Sequence, residues 1–269
     1  MRIFEGLAAT GLRSIRYALE LGEDVVREVV SNDMDPNVVE SMKRNVAHNG
    51  PLAQKLITPT CQDARIPLLT AGSNAWMKKQ YQELYDVVDL DPYGAPVTLL
   101  DAGVQAVVDG GLLCVTATDM ATLCGNNGEA CYAKYGSYPI HKSYGHEQAV
   151  RIVLCAIQNS AARHKRYIEP LLCVHMDFYV RLFMRVHTSR QVVKDTSLRT
   201  SMLYHSIGSH AFTLTPVGQK TPNRRNVLTY KPAGGKREEK KKREEQRREE
   251  KRREEKRREE KRREENPTR

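Results

Sequence analysis

The segment Asp89-Leu-Asp91-Pro-Tyr-Gly94 places two carboxylates, a proline and an aromatic ring at the end of an apolar run that begins at Tyr85. Charged groups closing an otherwise buried strand require a reason to be there. One chemistry that suits the set is transfer to the exocyclic N2 amine of guanine. That amine is a poor nucleophile because its lone pair is delocalised into the ring. It must be held in line with an electrophile and relieved of its proton as the new bond forms. The Asp91 carboxylate and the backbone carbonyl before Pro92 offer two acceptors to one NH2 group, and Tyr93 offers a ring to stack on the base. An ordinary strand-to-turn Asp-Pro-Tyr-Gly is the competing reading.

Two more acidic positions fall at strand ends. Asp33 follows the glycine turn Gly6 to Gly11 by about 20 residues, the separation at which a carboxylate accepts hydrogen bonds from the ribose hydroxyls of an adenosine-containing cofactor. The turn does not match G-x-G-x-x-G, and helix capping accounts for Asp33 equally well. Asp63 comes after a third strand, where its carboxylate and the Ala64 amide would read the amino edge of adenine. A turn-forming aspartate is the alternative there.

The elements that must position these groups read as an α/β pattern for the first 165 residues, short β-branched runs alternating with amphipathic stretches. The glycine turn leads into a helix whose apolar residues 12, 15 and 19 share one face. Val25 to Val30 is a second strand, and Asp35-Pro36 caps a helix that Asn49-Gly50-Pro51 ends near His48. A third strand lies near Leu56 to Thr58, a fourth at Tyr85 to Asp91 and a fifth at Leu112 to Ala117, with a helix over 97 to 108 between the last two. A Gly-, Asn- and Tyr-rich loop covers 124 to 144, and a helix follows from His146 to Ala162. The runs Leu171 to His175 and Phe178 to Val186 are too close for a crossover, so they pair as an antiparallel hairpin. Brought together, the acidic residues should converge outside the carboxyl ends of the strands, where open α/β sheets bind ligands.

Composition narrows the partner. The chain carries a net charge of +10, and residues 236 to 269 hold 18 Lys/Arg against 12 Glu, or six of those ten charges. A basic balance favours a polyanion, and a solubilising surface charge accounts for it equally well. This tail repeats Lys-Arg-Arg-Glu-Glu with a period that smears charge round every face of a helix, so coiled-coil pairing is ruled out. Pairs such as Glu249 with Arg252 and Arg247 with Glu250 suit a solvated helix. Cysteines 61, 114, 124, 131, 155 and 173 form no C-x-x-C pair and read as buried thiols in a reducing compartment. No stretch has the roughly 20 apolar residues of a membrane span, and no secretory pattern opens the chain. An intracellular protein is expected, nuclear first, with mitochondrion or cytoplasm as alternatives.

Several motifs in order carry a resemblance. These are Leu7-Ala-Ala-Thr-Gly-Leu-Arg-Ser-Ile-Arg-Tyr-Ala18, Asn32-Asp33, Met42-Lys-Arg-Asn-Val46, Asp63-Ala-Arg65, Asp89-Leu-Asp-Pro-Tyr-Gly94 and Cys114-Val-Thr-Ala-Thr-Asp-Met120. With Lys134-Tyr-Gly136 and Asp177-Phe-Tyr-Val-Arg181 they resemble the tRNA (guanine(26)-N2)-dimethyltransferase family, over roughly residues 3 to 190. The resemblance implies a Rossmann-like class I methyltransferase fold, mostly parallel with a late antiparallel strand and helices on both faces. It implies S-adenosylmethionine as cofactor and tRNA as partner. It matches Arg13, Asp33, Asp63 and Ala64 to cofactor contacts, Asp91 to the catalytic carboxylate and Tyr93 to the aromatic that packs on guanine.

Departures from the family pattern set further expectations. The chain starts almost on its first strand, where relatives carry a segment that supplies an arginine to the cofactor site. The similarity fades beyond about Gly218, so a eukaryotic member shortened at both ends is expected. Ser206 and Ser209 stand where relatives have a zinc-binding cysteine pair, so no metal is expected. The domain reading is 1–190 for methyl transfer, 191–235 for a remnant of a tRNA-binding domain and 236–269 for the charged tail. Two alternatives stay open, a non-catalytic RNA-binding paralogue and a methyltransferase acting on DNA or protein amides.

Overall fold

In the computed structural model, which describes residues 1–209, 211–222 and 228–233, the chain divides into two units at Lys194 and Asp195. The expected helix of the charged tail lies outside the described residues. The first unit is built in the order β1 (Arg2–Glu5), α1 (Leu12–Leu21), β2 (Glu28–Asp33), α2 (Pro36–His48), α3 (Gly50–Leu56), β3 (Ile57–Cys61), α4 (Arg65–Lys78) and β4 (Tyr85–Leu90). It continues through α5 (Val97–Ala106), β5 (Val107–Ala117), α6 (Met120–Leu123), α7 (Gly128–Tyr135), α8 (Gly145–Arg163), β6 (Arg166–Met176) and β7 (Tyr179–Thr188).

The seven strands form one sheet in the order β3-β2-β1-β4-β5-β7-β6. The first five run parallel, while β7 is antiparallel to β5 and to β6. This is the mostly parallel sheet closed by a late hairpin that the sequence predicts. Strand order reverses between β1 and β4, which opens a crevice at their carboxyl ends.

Helices cover both faces. Leu68, Leu100, Val104, Val153 and Ile157 from α4, α5 and α8 join the larger apolar cluster on one side of the sheet. Ile15, Ala18, Val46, Ala53 and Leu56 from α1, α2 and α3 form the cluster on the other. Burial on both sides explains why β1, β2 and the end of β5 read as continuous apolar runs, whereas the edge strand β6 leaves Leu171 and Leu172 exposed. At the glycine turn, Gly11 has φ +77°, and a Cβ there would lie 2.7 Å from Met42 Cγ, so both backbone shape and close packing on α2 call for glycine.

Local capping follows the sequence closely. The Asp35 side chain accepts from the Asn37 amide at 2.8 Å and Pro36 occupies the first turn of α2, an arrangement that contributes about 1 kcal/mol. Elsewhere the structure differs. Asn49-Gly50-Pro51 ends α2 and also starts α3, because proline is preset for a first turn. Val25 and Val26 belong to a turn closed onto the Gly22 carbonyl, so β2 begins only at Glu28. The 14-residue α4 stands where the sequence reading has no element, α7 interrupts the expected loop, and β5 and β6 are each 11 residues long. Cys61 and Cys173 are exposed rather than buried, while Cys114 and Cys131 are in the core.

Within the second unit, β8 (Ser201–His205) pairs with β9 (Phe212–Pro216), and β10 (Gly218–Pro222) pairs with β11 (Leu228–Pro232), both antiparallel. Asp195 ties this unit internally, accepting from Lys220 Nζ at 2.7 Å and from the Tyr230 hydroxyl at 2.6 Å. Among the described residues no helix is long and apolar enough to cross a membrane.

Candidate functional site

A cleft of about 1010 Å³ opens at the carboxyl ends of β1, β2 and β4, and all six residues singled out in the sequence line it: Arg13, Asp33, Asp63, Ala64, Asp91 and Tyr93. The strand-end argument therefore brings together groups spread over 80 residues of chain.

The Asp33 carboxylate is held by backbone. One oxygen accepts from the Ala9 amide at 3.0 Å and the other from the Asp35 amide at 3.1 Å. This fixes the glycine turn against the end of β2. Behind it the buried Asn32 side chain donates to the carbonyls of Gly6 and Gln62 and accepts from Thr60, stitching β1 to the ends of β2 and β3. Asp63 is bound by its near neighbour Arg65, with contacts of 2.5 to 3.1 Å, and this guanidinium holds the Asp63 carboxyl below its ordinary value. Ala64 is buried at the start of α4.

The opposite wall is ionic and deeper. Arg13 donates from Nη1 to Asp89 Oδ2 at 3.0 Å and from Nη2 to Asp91 Oδ2 at 2.5 Å, while Glu5 Oε1 lies 3.7 Å away. Asp89 is completely buried. It also accepts from Arg181 Nη2 at 3.0 and 2.8 Å and from the Tyr17 hydroxyl at 2.9 Å. Two guanidiniums thus face a fully desolvated carboxylate, as a buried charge requires. Burial works against the Arg13 charge, yet Asp89 and Asp91 outweigh it and raise its pKa further. Burial, then the nearby Asp89, pushes the Tyr17 hydroxyl well above its usual range, so it remains a donor.

Glu5 sits under the same wall, bonded to Ser14, which also meets Ser31 at 2.8 Å. Burial raises its carboxyl from 4.5 to about 7, against the opposing pull of the Ser14 bond and Arg13. Cys114, pushed up to about 12 by burial and then by Asp89, is an inert thiol beside the network.

On the rim, Tyr93 is fully exposed, and Gly94 is locked to Thr118 by its amide to Oγ1 at 2.7 Å and its carbonyl to the Thr118 amide at 3.0 Å. Next to Thr118, Asp119 accepts from the Tyr135 hydroxyl at 2.7 Å and from Lys134 at 3.1 Å. That contact gives the Lys134-Tyr-Gly136 segment a structural task the sequence does not reveal.

The acceptors at the end of β2 fit an adenosine-containing cofactor. Each Asp33 oxygen receives one amide, and a carboxylate has about four acceptor sites, so two remain for ribose hydroxyls. Asp33, Asp63 and Asp91 line the cleft together with Arg13, Arg16 and Arg65, and among the described residues only Asp33 of the three carboxylates has no arginine bonded to it. Arg13 lines the cleft with each terminal nitrogen bonded to one protein carboxylate, and a guanidinium's five N–H donors leave others for a ligand. Glu5 is the one residue of this ionic wall that lies outside every motif named in the sequence, and the bonds that join Tyr17, Asp89 and Arg181 are not given by motif spacing. For Asp89 and Arg181 the signal is a charge inside an apolar strand, as in Val88-Asp89-Leu90 and Val180-Arg181-Leu182. Among the described residues no group of three His, Cys, Asp or Glu gathers as a metal would need.

Known proteins resemble this chain over most of its length. The family described as N2,N2-dimethylguanosine tRNA methyltransferase matches residues 1–262. A tRNA (guanine(26)-N(2))-dimethyltransferase 2 of Arabidopsis thaliana is 47% identical over 234 residues, covering 87% of the chain and 38% of the relative. The human tRNA (guanine(26)-N(2))-dimethyltransferase is 44% identical over 219 residues, covering 81% and 32%. The chain therefore spans well under half the length of these relatives. Among solved structures, Trm1 from Pyrococcus horikoshii in complex with S-adenosyl-L-methionine superposes with a TM-score of 0.71 at 29% identity, covering 86% of this chain and 61% of that one.

Proposed function

The chain belongs to the N2,N2-dimethylguanosine tRNA methyltransferase family, and from that premise we propose that it transfers methyl groups from S-adenosylmethionine to the N2 amine of guanine at position 26 of tRNA. The observation that carries the reading is the Asp91 carboxylate on the cleft wall, with Oδ2 taken by Arg13, followed two residues later by the exposed Tyr93 ring.

When bound, S-adenosylmethionine supplies a methyl group on a positively charged sulfur. Asp33 holds the ribose, and Asp63 with the Ala64 amide meets the adenine edge. Tyr93 stacks on a guanine that has left its helix, at a cost of a few kcal/mol for unstacking. Asp91 would orient the amine through Oδ1, the oxygen Arg13 leaves free, and take up the proton the nitrogen loses as the methyl carbon passes to it. The carbon–sulfur bond breaks in that step, and its electron pair stays on the departing neutral thioether. Residues 1–190 form the methyl-transfer domain in this reading. Residues 191–235 contribute to holding tRNA, and the basic tail 236–269 adds non-specific attraction to its phosphates. The location follows the substrate: inside the cell, and in the nucleus first. The Saccharomyces cerevisiae relative is named as mitochondrial, and cell fractionation decides between the compartments.

The test is mass spectrometry of nucleosides from unmodified tRNA incubated with the chain and methyl-labelled S-adenosylmethionine. Labelled N2-methylated guanosine from position 26 is the expected product. Cofactor binding by calorimetry with no labelled nucleoside would leave an RNA-binding member without transfer activity. Label in duplex DNA or a protein amide would give the chemistry to another substrate.

A further inference from the structure

Arg181 stands on β7, 92 residues from Asp89, and does not line the cleft. We propose that it is a positioning residue: acting through Asp89 and then Arg13, it sets the direction in which the Asp91 carboxylate meets the cleft. The proposal rests on the reading of Asp91 as the proton acceptor.

The geometry is a chain of alternating charge. Arg181 Nη1 is anchored by Thr116 Oγ1 at 2.7 Å, and its guanidinium lies over the Phe183 ring at 5.1 Å. Its Nη2 meets both oxygens of Asp89. With that cation and the Tyr17 hydroxyl in place, Asp89 needs only one nitrogen of Arg13, and the other is left to hold Asp91. Arg13 is planar and forked, and a lone buried carboxylate is its best bidentate partner. Remove Arg181, and Asp89 is a fully buried anion facing a single guanidinium. Both Arg13 nitrogens then close on Asp89, and Asp91 loses its fixed partner.

The experiment reads Arg13 directly, by NMR of the full chain labelled with 15N-arginine, alongside methyl-transfer kinetics. Arg13 signals are assigned from Arg13→Lys, and Asp91→Ala marks the shift caused by losing the Asp91 contact. Arg181→Met is expected to move the Arg13 side-chain signals in the same sense and to lower kcat roughly 100-fold, the scale for a group misplaced by about an ångström. The loss should fall on kcat rather than on affinity for S-adenosylmethionine. Arg181→Lys keeps the charge without the fork and should restore part of both. Should Arg181→Met fail to fold, Arg181→Met with Asp89→Asn removes the buried ion together with its partner, and this double variant should transfer no more slowly than Asp89→Asn alone.

Arg13 signals unchanged in Arg181→Met, or a multiplied loss in the double variant, would overturn the relay. The signals need no turnover to be read. A chain that moves no methyl but shows the Arg13 shift therefore overturns the functional reading alone and leaves the relay standing.

Discussion

At one end of the cleft Asp63 is held by Arg65, two residues on, and Asp33 by the amides of Asp35 and Ala9. At the other end Asp89 and Asp91 are held by side chains 72 to 92 residues away, under a fully buried floor. The first arrangement depends mostly on short-range turn geometry and water reaches it. The second exists only when β1, α1, β4 and β7 are already packed. A change at the local end should therefore give a graded loss of binding, because each contact contributes separately. A change at the ionic end should give a steep loss, because each charge there compensates another.

The largest effect expected is that of Asp91→Ala on transfer, a fall of roughly 1000-fold, in the range for loss of a positioned general base. Affinity for S-adenosylmethionine, measured by calorimetry, should be nearly preserved. Asp91→Ala and Asp33→Ala losing cofactor affinity equally would erase the distinction between the two ends.

Next in size is a stability effect at Glu5. Its carboxyl holds a proton to about pH 7 in the folded chain and releases it near 4.5 in the unfolded one. Between those values the folded state binds more protons, so this group's contribution to stability falls as pH rises through the window. The total fall is on the order of 3 kcal/mol. Denaturant titrations at pH 4.5 and pH 8 should show wild type losing that much relative to Glu5→Gln, which keeps a side chain able to meet Ser14. Parallel curves for the two proteins would mean that the floor of the cleft is wetter than its burial indicates.

At the local end, Asp33→Ala should weaken S-adenosylmethionine binding by roughly 10- to 100-fold, the scale for lost hydrogen bonds to a charged group. kcat at saturating cofactor should change little. A variant with unaltered cofactor affinity would reduce Asp33 to the turn-fixing role that its bonds to Ala9 and Asp35 already give it.

The same contrast decides what could be read from the chain before folding. The glycine turn, the Asp35-Pro36 cap and the late hairpin are specified by residues within a few positions of one another, and they appear in place. So do the strand-end carboxylates, because strand and turn are adjacent in sequence. Helix α4 escapes the pattern because Pro67, Gly72, Ser73 and Asn74 lie within it, and its helical state comes from packing. A Cβ on Gly72 would come within 3.0 Å of Gln105 Cβ and 3.3 Å of its carbonyl, which shows how closely α4 presses on α5. That Arg181 partners Asp89 is not legible in the sequence, where it stands only as a charge in an apolar strand. Which strand faces which is set by sheet order, and no short-range rule gives that order.

The smallest effect sharpens the comparison most. Arg65 is exposed and pairs with Asp63 over two residues in open solvent, where ion pairs contribute little. Arg65→Ala should therefore change S-adenosylmethionine affinity by less than about fivefold, and 0.5 M salt should remove most of the difference between variant and wild type. Arg181→Met, at a buried pair of the same two residue types, should keep its full defect at that salt concentration, since ions do not reach Asp89. Burial rather than charge then separates the two ends. If both defects faded with salt in parallel, the Asp89 pair would be screened like the Asp63 pair, and the steep response expected of the ionic wall would have no physical basis.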